Sequence, residues 1–376
     1  MLECKDFFDA LTRDGIAFFA GVPDSLLKNV CAYITDHVPA SSHVISANEG
    51  GAVGLAMGHY LATGSPALLY MQNSGQGNAV NPLMSLADKE VYAIPMLLMV
   101  GWRGEPGTKD EPQHVKQGKV TPALFEAMGI SHKILPDEMD AARDVVRSLV
   151  RETRQTNQPV ALLVRKGTFA PYALEKRPEN VHSLSREEAI RTVVRFLDER
   201  AVIVSTTGKA SRELFEIREE LGQGHRKDFL TVGGMGHASQ IALGIALAQP
   251  DRPVCCLDGD GAALMHAGGM GIIGSYSAAR RYKHVLLNNG THDSVGGQPT
   301  IGFDVDFCGM ARAMGYPHAL RVESEEALRE VLPGFLREPG AGLLEIRVAG
   351  GARDDLGRPT VRPVANKQAM MEFLRD

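Results

Sequence analysis

The run Cys255-Cys256-Leu257-Asp258-Gly259-Asp260-Gly261-Ala262, with its answering pair Asn288-Asn289, constrains the fold more than any other stretch of the chain. Val254 to Leu257 is a short apolar run that breaks at Asp-Gly-Asp-Gly, and His284 to Leu287 is a second that breaks at Asn-Asn-Gly. Small residues from Ala262 to about Arg281 predict one intervening helix, which at roughly 20 residues runs back about 30 Å. Strand, helix, strand predicts a βαβ unit whose parallel strands end at one sheet edge. Asp260 and Asn289 then emerge together, although 26 residues separate Gly261 from Asn288.

A carboxylate and an amide carbonyl beside a helix N-terminus suit a hard cation that holds a phosphate. Asp260 supplies charge, Asn289 a neutral oxygen, and a backbone oxygen just after Asn289 a third ligand. The free N–H groups of Gly261 and Ala262 favour a diphosphate. Taken singly, Asp-Gly-Asp-Gly is a turn and Asn-Asn-Gly a hairpin corner; their pairing inside a βαβ frame favours the site.

With 376 residues, 44% of them hydrophobic, the chain has room for two domains with substantial cores. A net charge of -5 carries no basic footprint for nucleic acid. No apolar run approaches the roughly 20 residues that span a bilayer. The N-terminal stretch lacks a signal peptide's apolar core. Cys4, Cys31, Cys255, Cys256 and Cys308 lack metal-ligand spacing. They read as reduced packing residues of a cytoplasmic protein, with Cys255 and Cys256 on opposite faces of one strand.

Ala17–Ala20, His43–Ala47, Ala67–Met71, Ile94–Val100 and Pro159–Val164 are apolar strand runs, with helical stretches before and between them. Alternation of this kind predicts an α/β fold with a mostly parallel sheet. The polar, aperiodic stretch 167–185 separates this half from a second one. Val202–Ser205, Leu230–Val232, Val254–Leu257, His284–Leu287 and Leu343–Val348 repeat the order of elements, Cys256 answering Tyr70 at an offset of 186. Repeated order at a steady offset predicts two similar doubly wound domains, 1–178 and 186–376, joined by a linker at 179–185. Two unrelated domains of similar size are the alternative.

Gly259-Asp260-Gly261 followed by Asn288-Asn289 resembles the metal–diphosphate signature of thiamine-diphosphate-dependent 2-keto acid decarboxylases. That family pairs a pyrimidine-binding and a diphosphate-binding domain of one fold. The resemblance implies that Asp260, Asn289 and the Thr291 carbonyl hold Mg²⁺. It further implies that Gly208, Gly234-Met235-Gly236, Gly259, Gly261, Ala262 and the turn Asn73-Ser74-Gly75 line the cofactor, Met235 bending it. Glu49, between a strand and a helix, is by itself explained by helix-dipole matching. The resemblance makes it the acid that shares a proton with the cofactor's aminopyrimidine ring. Burial favours its protonated form.

The long polar stretch 101–119 offers Arg103, Lys109, His114, Lys116 and Lys119 to an anion, or is a solvated loop. Together with Gly21-Val22-Pro23-Asp24-Ser25 and 291–300, it resembles the members of the family that act on small dianionic 2-keto acids. The implied substrate is 3-phosphonopyruvate, with sulfopyruvate or a plain 2-keto acid as alternatives; a carboligase or a non-catalytic cofactor binder lies further off. Asp24, His114 and His292 are the candidates for moving a proton or placing the substrate carboxylate. Ser25, Arg103, Arg353 and Arg358 are those for the phosphonate, arginine's fork suiting that group. The resemblance also implies at least a homodimer with active sites at the subunit interface. The third domain and histidine pair of larger decarboxylases are absent from the pattern.

Overall fold

The computed structural model describes residues 1–376 except Pro178, Asn180 and Ser277. The expected domain end at 178 and the linker 179–185 therefore include positions outside the described residues. The chain divides into two compact units, 1–177 with 295–298, and 178–294 with 299–376.

In the first unit the strands are β1 (Phe19–Gly21), β2 (His43–Ile45), β3 (Ala67–Gln72), β4 (Met96–Gly101), β5 (Ser131–Ile134) and β6 (Val160–Val164). They pair in parallel in the order β2-β1-β3-β4-β6-β5. The second unit holds β7 (Val202–Ser205), β8 (Asp228–Leu230), β9 (Val254–Gly259), β10 (Tyr282–Asn288), β11 (His318–Val322) and β12 (Gly342–Arg347). Its order, β11-β12-β10-β9-β7-β8, is the first sheet's order read backwards. The fold is one doubly wound topology built twice.

Each sheet is buried on both faces, which is why its strands are continuous apolar runs. Leu68 and Tyr70 of β3 join one core while Ala67, Leu69 and Met71 join the other. On β9, Cys255 and Leu257 face one core, Val254 and Cys256 the opposite one. All five cysteines are free and buried. Among the described residues no helix is long and apolar enough to cross a membrane.

Several expectations need correction. The single helix predicted after Gly261 is two short ones, Asp260–Met265 and Gly268–Ser275. His266, at φ -133° and ψ 48°, breaks them apart, and four glycines in the second helix weaken its propensity. The stretch 101–119 is a loop only in its first half, since Pro112–Ala127 is a helix with Pro112 in its first turn. Its polar composition hides a buried face of His114, Gly118, Thr121 and Phe125. A Cβ on Gly118 would lie 1.7 Å from the Gly104 carbonyl, so glycine alone permits that approach. The strand expected at Leu230–Val232 is Asp228–Leu230, Val232 being exposed.

Candidate active site

Glu49 opens the helix Glu49–Thr63, whose cap is Asn48 accepting the Gly51 N–H at 2.8 Å. The Glu49 side chain is buried, and burial raises its pKa against the opposing hydrogen bond from Asn78. Asn78 Nδ2 donates to Oε2 at 2.8 Å. A Cβ on Gly75 would fall 2.2 Å from Oε1, so Gly75 gives the carboxyl its room. Next to it in sequence, Gln76 buries a side-chain nitrogen that lacks a protein partner.

Asp24 lies at the same carboxyl edge, fully buried. Burial pushes its carboxyl up, against Gln72 Nε2 at 2.7 Å and the N–H of Leu26 at 2.8 Å. His114 is also buried, and burial, aided by the charge of Arg103, lowers it to about 4. Its Nδ1 has no protein partner. At neutral pH this imidazole is uncharged, able to exchange a proton and unable to act as a fixed cation.

Two of the expected site residues in this unit have protein partners. The first is Asn73. Its Nδ2 donates to the Arg103 carbonyl at 2.8 Å and to Thr121 Oγ1 at 2.9 Å, while its Oδ1 accepts the Arg103 N–H at 3.2 Å. Ser74 Oγ donates to Gln72 Oε1 at 2.9 Å. The second is Arg103, which donates through Nε to Asp110 at 2.8 Å, through Nη2 to Asp110 and through Nη1 to Ser25 Oγ at 2.8 Å.

In the second unit, Asp260 begins its short helix with its side chain buried. Burial pushes its carboxyl up to about 6, although Thr300 Oγ1 and the backbone N–H groups of Gly261 and Asn289 donate to it. A Cβ on Gly302 would sit 2.3 Å from Asp260 Oδ2 and 2.5 Å from Asn288 Oδ1, so glycine keeps that space open. Asn288 braces the turn, donating to the Gly302 carbonyl at 2.8 Å and to Glu345 Oε1 at 2.9 Å. Asn289 donates through Nδ2 to Asp293 Oδ2 at 2.7 Å, and its Oδ1 accepts the Thr291 N–H at 3.1 Å. A carbonyl oxygen has a second lone pair, which this arrangement leaves for a cation.

The remaining residues of this edge fit an anion beside that cation. Gly208, at φ 103°, caps the helix Lys209–Glu220. Buried Thr206, just past β7, carries a hydroxyl without a partner among the described residues. Gly234 and Gly236 take φ values of 64° and 84°, a turn that a residue with a side chain strains to make. Met235 Cε and the His292 ring both lie over Gly261, where a Cβ would meet them at 3.5 and 2.9 Å. Burial lowers His292 to about 4. An acceptor-only carboxylate, a carbonyl lone pair, an orphaned hydroxyl and a helix N-terminus are together the donor set for a hard cation and a diphosphate.

Arg353, exposed in the C-terminal segment, pairs with Glu187 at 3.0 Å, Asp355 at 3.0 Å and Glu216. Arg358 lies exposed in the C-terminal segment. Sequence reasoning missed Thr206, Asp293 and Thr300. Thr206 was legible only as part of a turn; Asp293 bonds its neighbours Asn289 and Thr291 and also Arg186, 107 residues away, and Thr300 bonds Asp260, 40 residues away. Cys256, Asp258 and His284 also cluster behind β9. There, His284 bonds Asp258 and the Tyr316 hydroxyl at 3.3 Å each, which satisfies the imidazole inside the core.

Comparison with known proteins identifies the family. Residues 4–125 match the thiamine pyrophosphate enzyme N-terminal TPP-binding domain, and residues 215–346 the C-terminal TPP-binding domain. The chain is 34% identical to a phosphonopyruvate decarboxylase of Streptomyces viridochromogenes, over 100% of this chain and 95% of the relative. It is 34% identical to another from Streptomyces hygroscopicus, over 99% and 94%. The sulfopyruvate decarboxylase subunit alpha of Methanococcus maripaludis is 32% identical over 42% of this chain and 90% of its own. The two thiamine-binding domains and the likeness over the whole length place this chain in the phosphonopyruvate decarboxylase family of thiamine-diphosphate-dependent carbon–carbon lyases.

Proposed function

We propose that this enzyme decarboxylates 3-phosphonopyruvate to phosphonoacetaldehyde and CO₂, with thiamine diphosphate held through Mg²⁺. The observation that carries the substrate is coverage. Phosphonopyruvate decarboxylases match along the whole chain as one polypeptide, whereas sulfopyruvate decarboxylases match it as two separate subunits, alpha over 42% and beta over 35% of this chain. Asp260, Asn289 and the Thr291 carbonyl would hold the metal. Thr206, Gly208 and the N–H groups of Gly261 and Ala262 would receive the diphosphate.

When bound, thiamine diphosphate supplies the electron sink for loss of CO₂. The chain's own residues supply the proton path. Burial raises the pKa of the Glu49 carboxyl, and Asn78 holds Oε2, which would leave Oε1 for a ring nitrogen. His114 and His292, both neutral at pH 7, are the groups that exchange a proton with the reacting carbon. Asp24, retained by Gln72, orders the turn that carries Ser25. Arg103 positions Ser25 and the loop before the helix at 112, its charge largely met by Asp110. We further assign the enzyme to the cytoplasm and to a homo-oligomer.

Turnover of phosphonopyruvate, sulfopyruvate and pyruvate, each with and without thiamine diphosphate and Mg²⁺, tests the reading. Preference for phosphonopyruvate is expected. Equal or better kcat/KM on sulfopyruvate would move the enzyme to the sulfonate branch.

A further inference from the structure

Beneath the metal-binding turn lies a charged network that the reaction does not itself require. Asp293 sits four residues past Asn289, its side chain 9% exposed. Its Oδ2 accepts Asn289 Nδ2 at 2.7 Å and Arg186 Nη1 at 2.8 Å, and its Oδ1 accepts Thr291 Oγ1 at 2.7 Å. The Gly351 N–H reaches both oxygens at 3.1 Å. Arg186 is fixed in turn by Glu213, which takes Nε at 2.8 Å and Nη2 at 2.9 Å, and it donates to the Gly351 carbonyl at 3.2 Å. The Arg186 and Glu213 side chains are only 8% and 2% exposed.

The chemistry of these atoms has one directional consequence. A carboxylate only accepts, and an amide has one donating and one accepting end. Asp293 therefore turns Asn289 so that its nitrogen points to the network and its carbonyl oxygen to the opposite side. Arg186, held by a two-toothed bond to Glu213, stops Asp293 from swinging away. We propose that Asp293, anchored by Arg186 and Glu213, is a positioning residue that sets the amide of Asn289 with its oxygen toward the metal. The same carboxylate fixes Thr291, so one group orders both members of the turn. The inference rests on the reading of Asn289 as a metal ligand.

Outer-shell partners of this kind typically contribute 10–100-fold to metal affinity. Two variants separate orientation from charge. Asp293→Leu fills the space without an acceptor. Asp293→Asn keeps an oxygen for Asn289 while Arg186 retains Glu213. Bound Mn²⁺, read by electron paramagnetic resonance in the presence of thiamine diphosphate, reports affinity directly, and kcat at saturating Mg²⁺ reports chemistry.

The expected result is an Mn²⁺ Kd roughly 10–100-fold weaker in Asp293→Leu, near wild type in Asp293→Asn, with kcat at saturating metal retained in both. Asp293→Ala replaces the leucine variant if that one does not fold. An unchanged Kd in Asp293→Leu or its substitute overturns the proposal, and so does equal weakening in the Asn variant. Asn289→Ala is measured alongside. If it leaves Mn²⁺ binding intact, the ligand reading itself fails; if it weakens binding while Asp293→Leu does not, only the positioning role fails.

Discussion

The two sheets end in the same way and close differently. Aligned through their strand pairings, Ala67 with Met96 and Val254 with Tyr282, Asn73 is the counterpart of Asp260 and Arg103 that of Asn289. In both units the first of the pair accepts the backbone N–H of the second. Asn73 then also donates, to the Arg103 carbonyl and to Thr121, and its edge is sealed by protein. Asp260 has no proton to give when ionised, so its remaining lone pairs stay open to a cation. One change from amide to carboxylate separates the closed edge from the one we propose holds the metal, on a topology that is otherwise shared.

The acid we propose for the first unit lies elsewhere, at Glu49, one crossover away from its sealed edge. Glu49→Gln keeps the shape and the bond to Asn78 but removes the exchangeable proton. Turnover should fall by roughly 10²–10⁴-fold, the usual weight of general acid–base catalysis, with thiamine diphosphate still bound in a calorimetric titration. Loss of cofactor binding instead would make Glu49 a structural residue and weaken the division of labour between the units.

A second contrast lies where β2 and β8 begin, at His43 and Asp228, which pair with Phe19 and Ile203. Asp228 is held by Arg218 at 2.8 Å through both Nε and Nη2. Arg218→Met leaves a buried carboxylate unpaired and should destabilise the fold by about 3–5 kcal/mol in urea unfolding. His43 has only Tyr70 Oη, at 2.8 Å, and burial lowers its pKa to about 4.

The sign of the pH effect follows from that shift. Below pH 6.5 the unfolded chain takes up a proton that folded His43 refuses until about pH 4. Stability therefore falls as pH drops through this window, by up to about 3 kcal/mol from this residue. His43→Gln should flatten the pH dependence of unfolding by that amount, and an unchanged slope would dismiss His43 as its source.

The smallest effect belongs to the sealed edge itself. Asn73→Ala removes the donor to the Arg103 carbonyl and Thr121, while the Arg103 N–H keeps the Gly101 carbonyl at 3.1 Å and Thr121 keeps the Gln117 carbonyl at 2.7 Å. It should cost about 1 kcal/mol of stability. A loss of cofactor affinity without a loss of stability would show that this edge too serves a ligand.

Much of this was legible in the sequence because strands buried on both faces announce themselves as apolar runs, and their repeat revealed the duplication. Asp260 and Asn289 were legible because the crossover rule brings two strand ends to one edge. The helix at Pro112–Ala127 was not, since its buried face is made of His114, Gly118 and Thr121, which carry no apolar period. The carboxylates that pair with Arg103 and Arg353 were not legible, because a sequence does not show which acids fold against which arginines. Asp110 is seven residues from Arg103, but Glu187 is 166 residues from Arg353. Arg186 and Glu213 were invisible for the same reason, their role resting on partners such as Asp293, 107 residues away from Arg186.

The measurement closest to the central comparison is Mn²⁺ binding to Asp260→Asn, which gives the second edge the residue of the first. The account predicts that the resonance of bound Mn²⁺, present in the wild type with thiamine diphosphate, is lost while the protein remains folded. Mn²⁺ bound to Asp260→Asn with wild-type affinity would contradict it.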